Sequence, residues 1–169
     1  MAFSVQDYVV HPAHGVGRVL GLVTKSFPGK QARQYYEIAI HHGTVWVPVE
    51  AGAAAGLRLL TARDDLQHFR GVLMSRPAAL TGDFRQRGLD LRGRLKLGAF
   101  QDLCEVVRDL EARSWRKPLG EADAVKLRQA RDELCRQWAA ADGVSLSDAT
   151  REVHDLLSKC QQAHQTDGD

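Results

Sequence analysis

The sequence predicts an α+β fold, in which a small β-domain is followed by an all-helical domain of about five helices. Short β-favouring runs, separated by turn residues, occupy the first sixty residues. From residue 61 onward, apolar residues recur instead at helical spacing. The 169 residues are enough for two small domains. We therefore expect domains at 1–60 and 61–164, followed by a frayed tail at 165–169 that has nothing to bury.

Four runs in the first domain favour strands, at 8–10, 16–25, 34–40 and 44–48. Between them lie turn-forming residues, of which Phe27-Pro28-Gly29-Lys30 is the clearest group. Pro48 cannot donate a ladder hydrogen bond, so it should end a strand or lie on a sheet edge. Several short strands with tight turns predict a small twisted sheet or an open barrel.

The sequence of the second domain predicts five helices. The first follows Thr61-Ala62-Arg63-Asp64, which resembles a capping box, and stops before Pro77. The second covers 83–97, although Gly88 and Gly93 should each cost it about 1 kcal/mol relative to alanine. The remaining three are predicted from apolar stripes that begin at Phe100, Leu127 and Leu146.

Positive charge is concentrated in the middle of the chain. The net charge of the whole chain is only +2, but residues 61–98 hold eight basic and four acidic side chains. An acidic segment follows. Such a patch can attract a polyanion even when the whole protein is nearly neutral.

Several function classes lack sequence support. The three cysteines are far apart and odd in number, which fits reduced thiols, and Cys104 lies on an apolar helical stripe. The histidines and cysteines do not have the spacing of zinc ligands, and His11 and His14 are expected to stabilise a turn. The sequence also contains no motif of a phosphate-binding loop. We therefore expect no catalytic residue, metal or cofactor.

The lack of a signal peptide or a membrane-spanning apolar run predicts a cytoplasmic protein that does not bind membranes.

Four runs together resemble one known family, in the same order and at the same spacing. They are DYVVHPAHGVG at 7–17, YY at 35–36, VWVPVE at 45–50 and EVVRDL at 105–110. The chain thereby resembles the CarD family of bacterial transcription regulators, and the likeness covers most of its length.

This resemblance implies a Tudor-like first domain that binds the β subunit of RNA polymerase, partly by pairing sheet edges. It also implies that the helical domain contacts promoter DNA at the upstream edge of the transcription bubble. There an aromatic side chain enters the minor groove and stabilises the open complex. The alternative is an adaptor, whose helical domain recruits another protein instead of DNA. Under both interpretations, the free protein is expected to be a monomer.

On the polymerase side, the family's docking strand corresponds to Val45, Trp46, Val47 and Pro48, and Lys25 matches a basic contact. Trp46 departs from the family, which commonly has arginine there. Tryptophan is still a favoured interface residue. The alternative is that Trp46 is a half-buried residue of the sheet.

On the DNA side, Phe84 aligns with the family's wedge tryptophan and keeps a flat apolar face. Helical spacing places basic residues on two flanks of the same helix, and both flanks are predicted to contact DNA. One flank holds Arg85, Arg92 and Lys96, and the other holds Arg87 and Arg94. The alternatives are an ordinary solvated helix face for the basic residues and core packing against Leu91 for Phe84.

Overall fold

The computed structural model describes residues 3–165, so most of the tail predicted to be frayed, 166–169, lies outside the described residues. The chain divides into two compact units, Met1–Leu60 and Thr61–Asp169. The first unit is a sheet and the second is a bundle of helices. The predicted α+β class, with a β-domain before a helical domain, is confirmed.

The first unit is an antiparallel sheet of five strands in the order β4-β3-β2-β1-β5. Their bounds are β1 Tyr8–His11, β2 Gly15–Lys25, β3 Arg33–Ile40, β4 Gly43–Pro48 and β5 Arg58–Leu59. The four predicted strands are present with small shifts at their ends. The fifth was not predicted, because two residues are too few for an alternating pattern and β5 exists through its pairing with β1.

One face of this sheet carries the core of the first unit. Ile38 on β3 lies opposite Val19 on β2, and Tyr36 lies opposite Val47 on β4. All four side chains are buried. The Tyr36 hydroxyl also accepts a hydrogen bond from the backbone N–H of Phe3, at 3.0 Å. This satisfies the polar end of a side chain that otherwise packs among apolar groups.

The second unit contains five helices, as predicted: α1 Leu66–Met74, α2 Phe84–Leu97, α3 Phe100–Arg116, α4 Glu121–Asp142 and α5 Leu146–His164. Their apolar stripes meet in one core, which includes Leu110, Leu134 and Trp138. Cys104 is buried on α3, in agreement with its predicted helical phase. Within the described residues, none of the helices combines the length and apolar character needed to cross a membrane.

The capping box predicted at 61–64 is wrong. A 3₁₀ turn, Arg63–Asp65, occupies this stretch and α1 begins after it, where the N-cap residue Asp65 makes no side-chain capping bond. Helix α2, by contrast, has a regular cap. The carboxylate of Asp83 accepts a hydrogen bond from the backbone N–H of Gln86 at 2.7 Å, which fixes the residue at which α2 starts.

Arg87 does not lie on an exposed flank of α2, so its predicted contact with DNA is corrected. The residue is only 6% exposed. Its Nε donates to Asp123 Oδ2 in the first turn of α4 at 2.9 Å, and its Nη1 donates to the carbonyl oxygens of Thr81 and Gly82. A buried carboxylate on a neighbouring helix thus holds this guanidinium inside the unit.

Arg94 is likewise held by carboxylates, in this case from α3. It donates to Glu105 at 2.9 Å and lies within 4 Å of Asp102 and Asp109. Since three carboxylates surround it, little of its charge is available to a phosphate. Of the predicted flank, Arg87 is therefore buried against α4, and Arg94 is half-buried and paired with carboxylates of α3.

We predict that Arg87→Met lowers the free energy of unfolding of the helical unit by about 3–5 kcal/mol, because it leaves Asp123 as an unpaired buried charge. The measurement is chemical denaturation followed by circular dichroism at a helical wavelength. Arg85→Met is the matched control, since Arg85 is exposed on the same helix and should change stability by no more than about 0.5 kcal/mol. Equal stability of the two variants would contradict a structural role for the ion pair.

Candidate functional site

Strand β4 forms one edge of the sheet in the first unit. It pairs with β3 on one side, with Trp46 opposite Glu37 and Val47 opposite Tyr36. Within residues 3–165, no strand pairs with its other side. Pro48 ends the strand, as its missing N–H leads one to expect. The strand predicted to dock therefore has backbone donors and acceptors that are not used by the sheet.

Side chains alternate along β4 between the core and the solvent. Val47 is buried and Val45 is partly buried against the same core. Trp46 points to the other face and is 42% exposed. Its indole is therefore not a core residue of the sheet, and its exposed area is available to a partner.

Lys25 on β2 and Trp46 on β4, two of the predicted docking residues, meet on the exposed face of the sheet. The Nζ of Lys25 lies 3.4 Å from the centroid of the Trp46 ring, which is a close cation–π contact. Among the described residues, Lys25 takes part in no ion pair. The aromatic ring thus restrains the ammonium group without neutralising it.

Phe84 is the first residue of α2 and is 65% exposed. Core packing against Leu91 is excluded, because Leu91 is buried and Phe84 is not. The guanidinium carbon of the buried Arg87 lies 6.0 Å from the centroid of the Phe84 ring. The ring therefore stands at a fixed helix start, next to a side chain that is itself held in place.

The other predicted basic flank of α2 does face solvent. Arg85, Arg92 and Lys96 are all exposed, and none of them forms an ion pair in the described part of the chain. Their spacing of seven and four residues places them along one side of the helix. This exposed row begins directly after Phe84. An aromatic ring and a line of uncompensated cations are therefore adjacent, which is an arrangement suited to a nucleic acid backbone and its bases.

Lys126 on α4 adds a cation that the sequence analysis did not select. Its Nζ lies 3.9 Å from the position that a Cβ would occupy on Gly88 of α2. Nothing in the sequence distinguishes this lysine from the other basic residues of α4, which are Arg128, Arg131 and Arg136. Only the packing of α4 beside α2 brings it to the exposed row.

The structure offers little reactive chemistry. His11 is the last residue of β1, and its Nδ1 accepts a hydrogen bond from the backbone N–H of Ala13 in the following turn, at 3.0 Å. The pKa of His11 is lowered, chiefly by burial and to a smaller extent by the charge of the nearby His14. Burial raises the pKa of the Cys135 and Cys160 thiols, which favours the unreactive protonated form. No group of three or more potential metal ligands lies together within the described residues.

Comparison with known proteins gives a family match in the first unit and a relative that spans both. Residues 3–58 match the family described as "CarD-like/TRCF RID domain". A protein of Bacillus subtilis (strain 168) named "Putative transcription factor YdeB" is 26% identical over 145 residues, which are 85% of this chain and 94% of that protein. The family match covers β4, the strand predicted to dock. The match over residues 3–58 and the relative that spans both units agree with the resemblance to the CarD family seen in the sequence.

Proposed function

We propose that this protein is a transcription regulator that binds the β subunit of RNA polymerase through β4 and binds promoter DNA through α2. In the proposal, it stabilises the open complex from the upstream edge of the transcription bubble. The observation that carries the proposal is that none of the described strands pairs with the outer edge of β4, which lies within the residues that match the CarD-like/TRCF RID domain. The similarity to a protein named as a transcription factor supports the same class of function.

Docking through β4 would use main-chain hydrogen bonds for affinity and the alternating side chains for specificity. Trp46 is the natural anchor, because a large exposed aromatic side chain beside an unpaired edge can be fully desolvated by a partner. Lys25, held over the indole, would meet an acidic group of the polymerase. The arginine that the family commonly has at position 46 is thus replaced by an aromatic anchor with a neighbouring ammonium group.

The DNA contact would combine Phe84 with the exposed row of Arg85, Arg92 and Lys96. Phenylalanine can enter between base pairs from the minor groove, while the cations bind backbone phosphates. We take the free protein to be a monomer. Because only a few of its cations would contact DNA, it should bind DNA weakly on its own. Docking on polymerase would raise the effective concentration of α2 near the bubble and so make this weak contact effective.

The adaptor alternative also has one observation in its favour. Leu89 and Leu97 are exposed on α2 and line a groove of about 690 Å³ together with Leu80 and Gly93. An apolar groove of this kind can receive another protein. Substitution of Arg85, Arg92 and Lys96 together separates this adaptor function from DNA binding.

We predict that Trp46→Ala weakens binding to the isolated β lobe of RNA polymerase by about thirtyfold, as expected for an aromatic hot spot. Binding of the full chain would be measured by calorimetry. Leu59→Ala is the matched control, because Leu59 is similarly exposed but lies on β5, at the opposite edge of the sheet. Unchanged affinity of the Trp46 variant would mean that β4 is not the docking strand.

A second prediction concerns Phe84→Ala, which should shorten the lifetime of the open promoter complex by about tenfold, through loss of the inserted ring. The lifetime would be measured after addition of a competitor that traps free polymerase. Leu146→Ala is the control, since Leu146 is also an exposed apolar residue at the start of a helix, α5. If the Phe84 variant folds and matches the wild type, the wedge role is disproved.

The third prediction distinguishes DNA binding from the adaptor function. The triple variant Arg85→Gln, Arg92→Gln, Lys96→Gln should lose the effect on open-complex lifetime while its affinity for the β lobe stays unchanged. The reason is that all three side chains are exposed on α2, in the unit that does not contain β4. An unchanged promoter effect in a purified system would instead favour the adaptor.

A further inference from the structure

Lys126 of α4 lies next to the exposed row of α2. Its Nζ is 3.9 Å from the position of a Cβ on Gly88, so the ammonium group is within contact distance of the surface of α2. Gly88 comes three residues after Arg85 and four residues before Arg92, and it therefore lies between these two side chains on the helix surface. None of the three cations has a carboxylate partner in the described part of the chain.

The atoms around Gly88 leave room for a small side chain, so close packing does not explain why glycine is present at this position. A Cβ there would meet the Nζ of Lys126 at an ordinary contact distance and no other neighbouring atom within 4 Å. Glycine is nevertheless unfavourable in the interior of a helix, so alanine would make α2 more stable. A longer side chain, however, would take the space in which the Lys126 ammonium lies. The lack of a side chain at Gly88 is thus what admits Lys126 to this face of α2.

We propose that Arg85, Arg92 and Lys126 form a phosphate-binding site around Gly88, which receives one backbone phosphate of the DNA next to Phe84. This inference rests on the proposed function. Arg85 and Arg92 lie on the turns of α2 before and after Gly88, and Lys126 reaches Gly88 from α4, so three cations without a carboxylate partner in the described residues could share one phosphate. The site lies one helical turn from Phe84, and the phosphate would belong to the nucleotides next to the inserted ring.

The experiment measures binding of the full chain to a short fluorescent DNA duplex at a series of salt concentrations. Each phosphate contact contributes about 0.9 to the slope of log affinity against log salt concentration. Lys126→Gln should therefore reduce the magnitude of this slope by about 0.9. The matched control is Lys159→Gln, which removes the same charge from an exposed position on α5, in the groove between α5 and α1, and should leave the slope unchanged.

Variants at Gly88 test whether this position admits Lys126. Gly88→Leu should reduce the slope as much as Lys126→Gln does, and the double variant should show no additional reduction, because both changes remove the same contact. Gly88→Ala should keep the wild-type slope and raise the melting temperature by about 4 °C, since its Cβ fits beside the ammonium group. Melting curves of all variants show whether each one is folded.

Three outcomes would overturn the inference. If Lys126→Gln keeps the wild-type slope while Arg85→Gln with Arg92→Gln reduces it, α2 binds DNA without Lys126 and the proposed function stands. If the effects of Gly88→Leu and Lys126→Gln add, the two residues act separately and the shared site does not exist. A slope unchanged by every one of these basic substitutions would refute both the site and the proposed DNA contact.

Discussion

The buried ion pair of Arg87 and Asp123 is the interaction on which the candidate DNA surface depends. It joins the first turn of α2 to the first turn of α4, and Arg87 also binds the two carbonyl groups that precede α2. The start of α2 is thereby fixed in both position and rotation. With this helix rotation, Leu91 enters the core, Phe84 stays in solvent, and the row of Arg85, Arg92 and Lys96 faces outward. Removing two charges from water is costly, so the pair is better explained by the geometry that it specifies than by a gain in stability.

In the proposed function, the two units would use different physical means of binding, and both would be needed. An unpaired edge strand with one aromatic anchor can give substantial affinity from a small area, because main-chain hydrogen bonds and one buried ring contribute together. A row of a few cations beside a phenyl ring gives little affinity of its own and is weakened by salt. Such a combination would suit regulation, because the strong contact would keep the protein docked on polymerase. The weak contact could then form and break as the state of the DNA changes.

Much of the fold could be predicted because it depends on local patterns. The strands that contain Tyr36 and Trp46 alternate, and the helices that contain Cys104 and Leu134 repeat their apolar residues at helical spacing. Strand β5 was missed because its pairing with β1, and not its sequence, makes it a strand. The false capping box at 61–64 shows the same limit, since the Arg63 side chain pairs with Asp142 on α4 and a 3₁₀ turn replaces the cap.

The candidate site could be predicted only in part, for a related reason. Helical spacing shows which residues share a side of α2, but it does not show which side meets another helix. Arg87 and Arg94 were therefore grouped with the exposed cations, although carboxylates on α4 and α3 hold them. Lys126 was missed because it reaches α2 from another helix. The contact between Lys25 and Trp46 was likewise hidden, because it forms across the intervening strand β3.

The short length of β4 has a consequence for the free protein in the cell. An open strand edge can pair with the same edge of a second copy, and such pairing is a common route to aggregation. Here the edge is only six residues long and ends in a proline, which offers no hydrogen to a neighbouring strand. Pairing with a second copy would add only the main-chain hydrogen bonds of this short edge, whereas a partner with a complementary surface would also bury the exposed indole of Trp46. The short edge thus disfavours self-association of the free protein relative to pairing with such a partner.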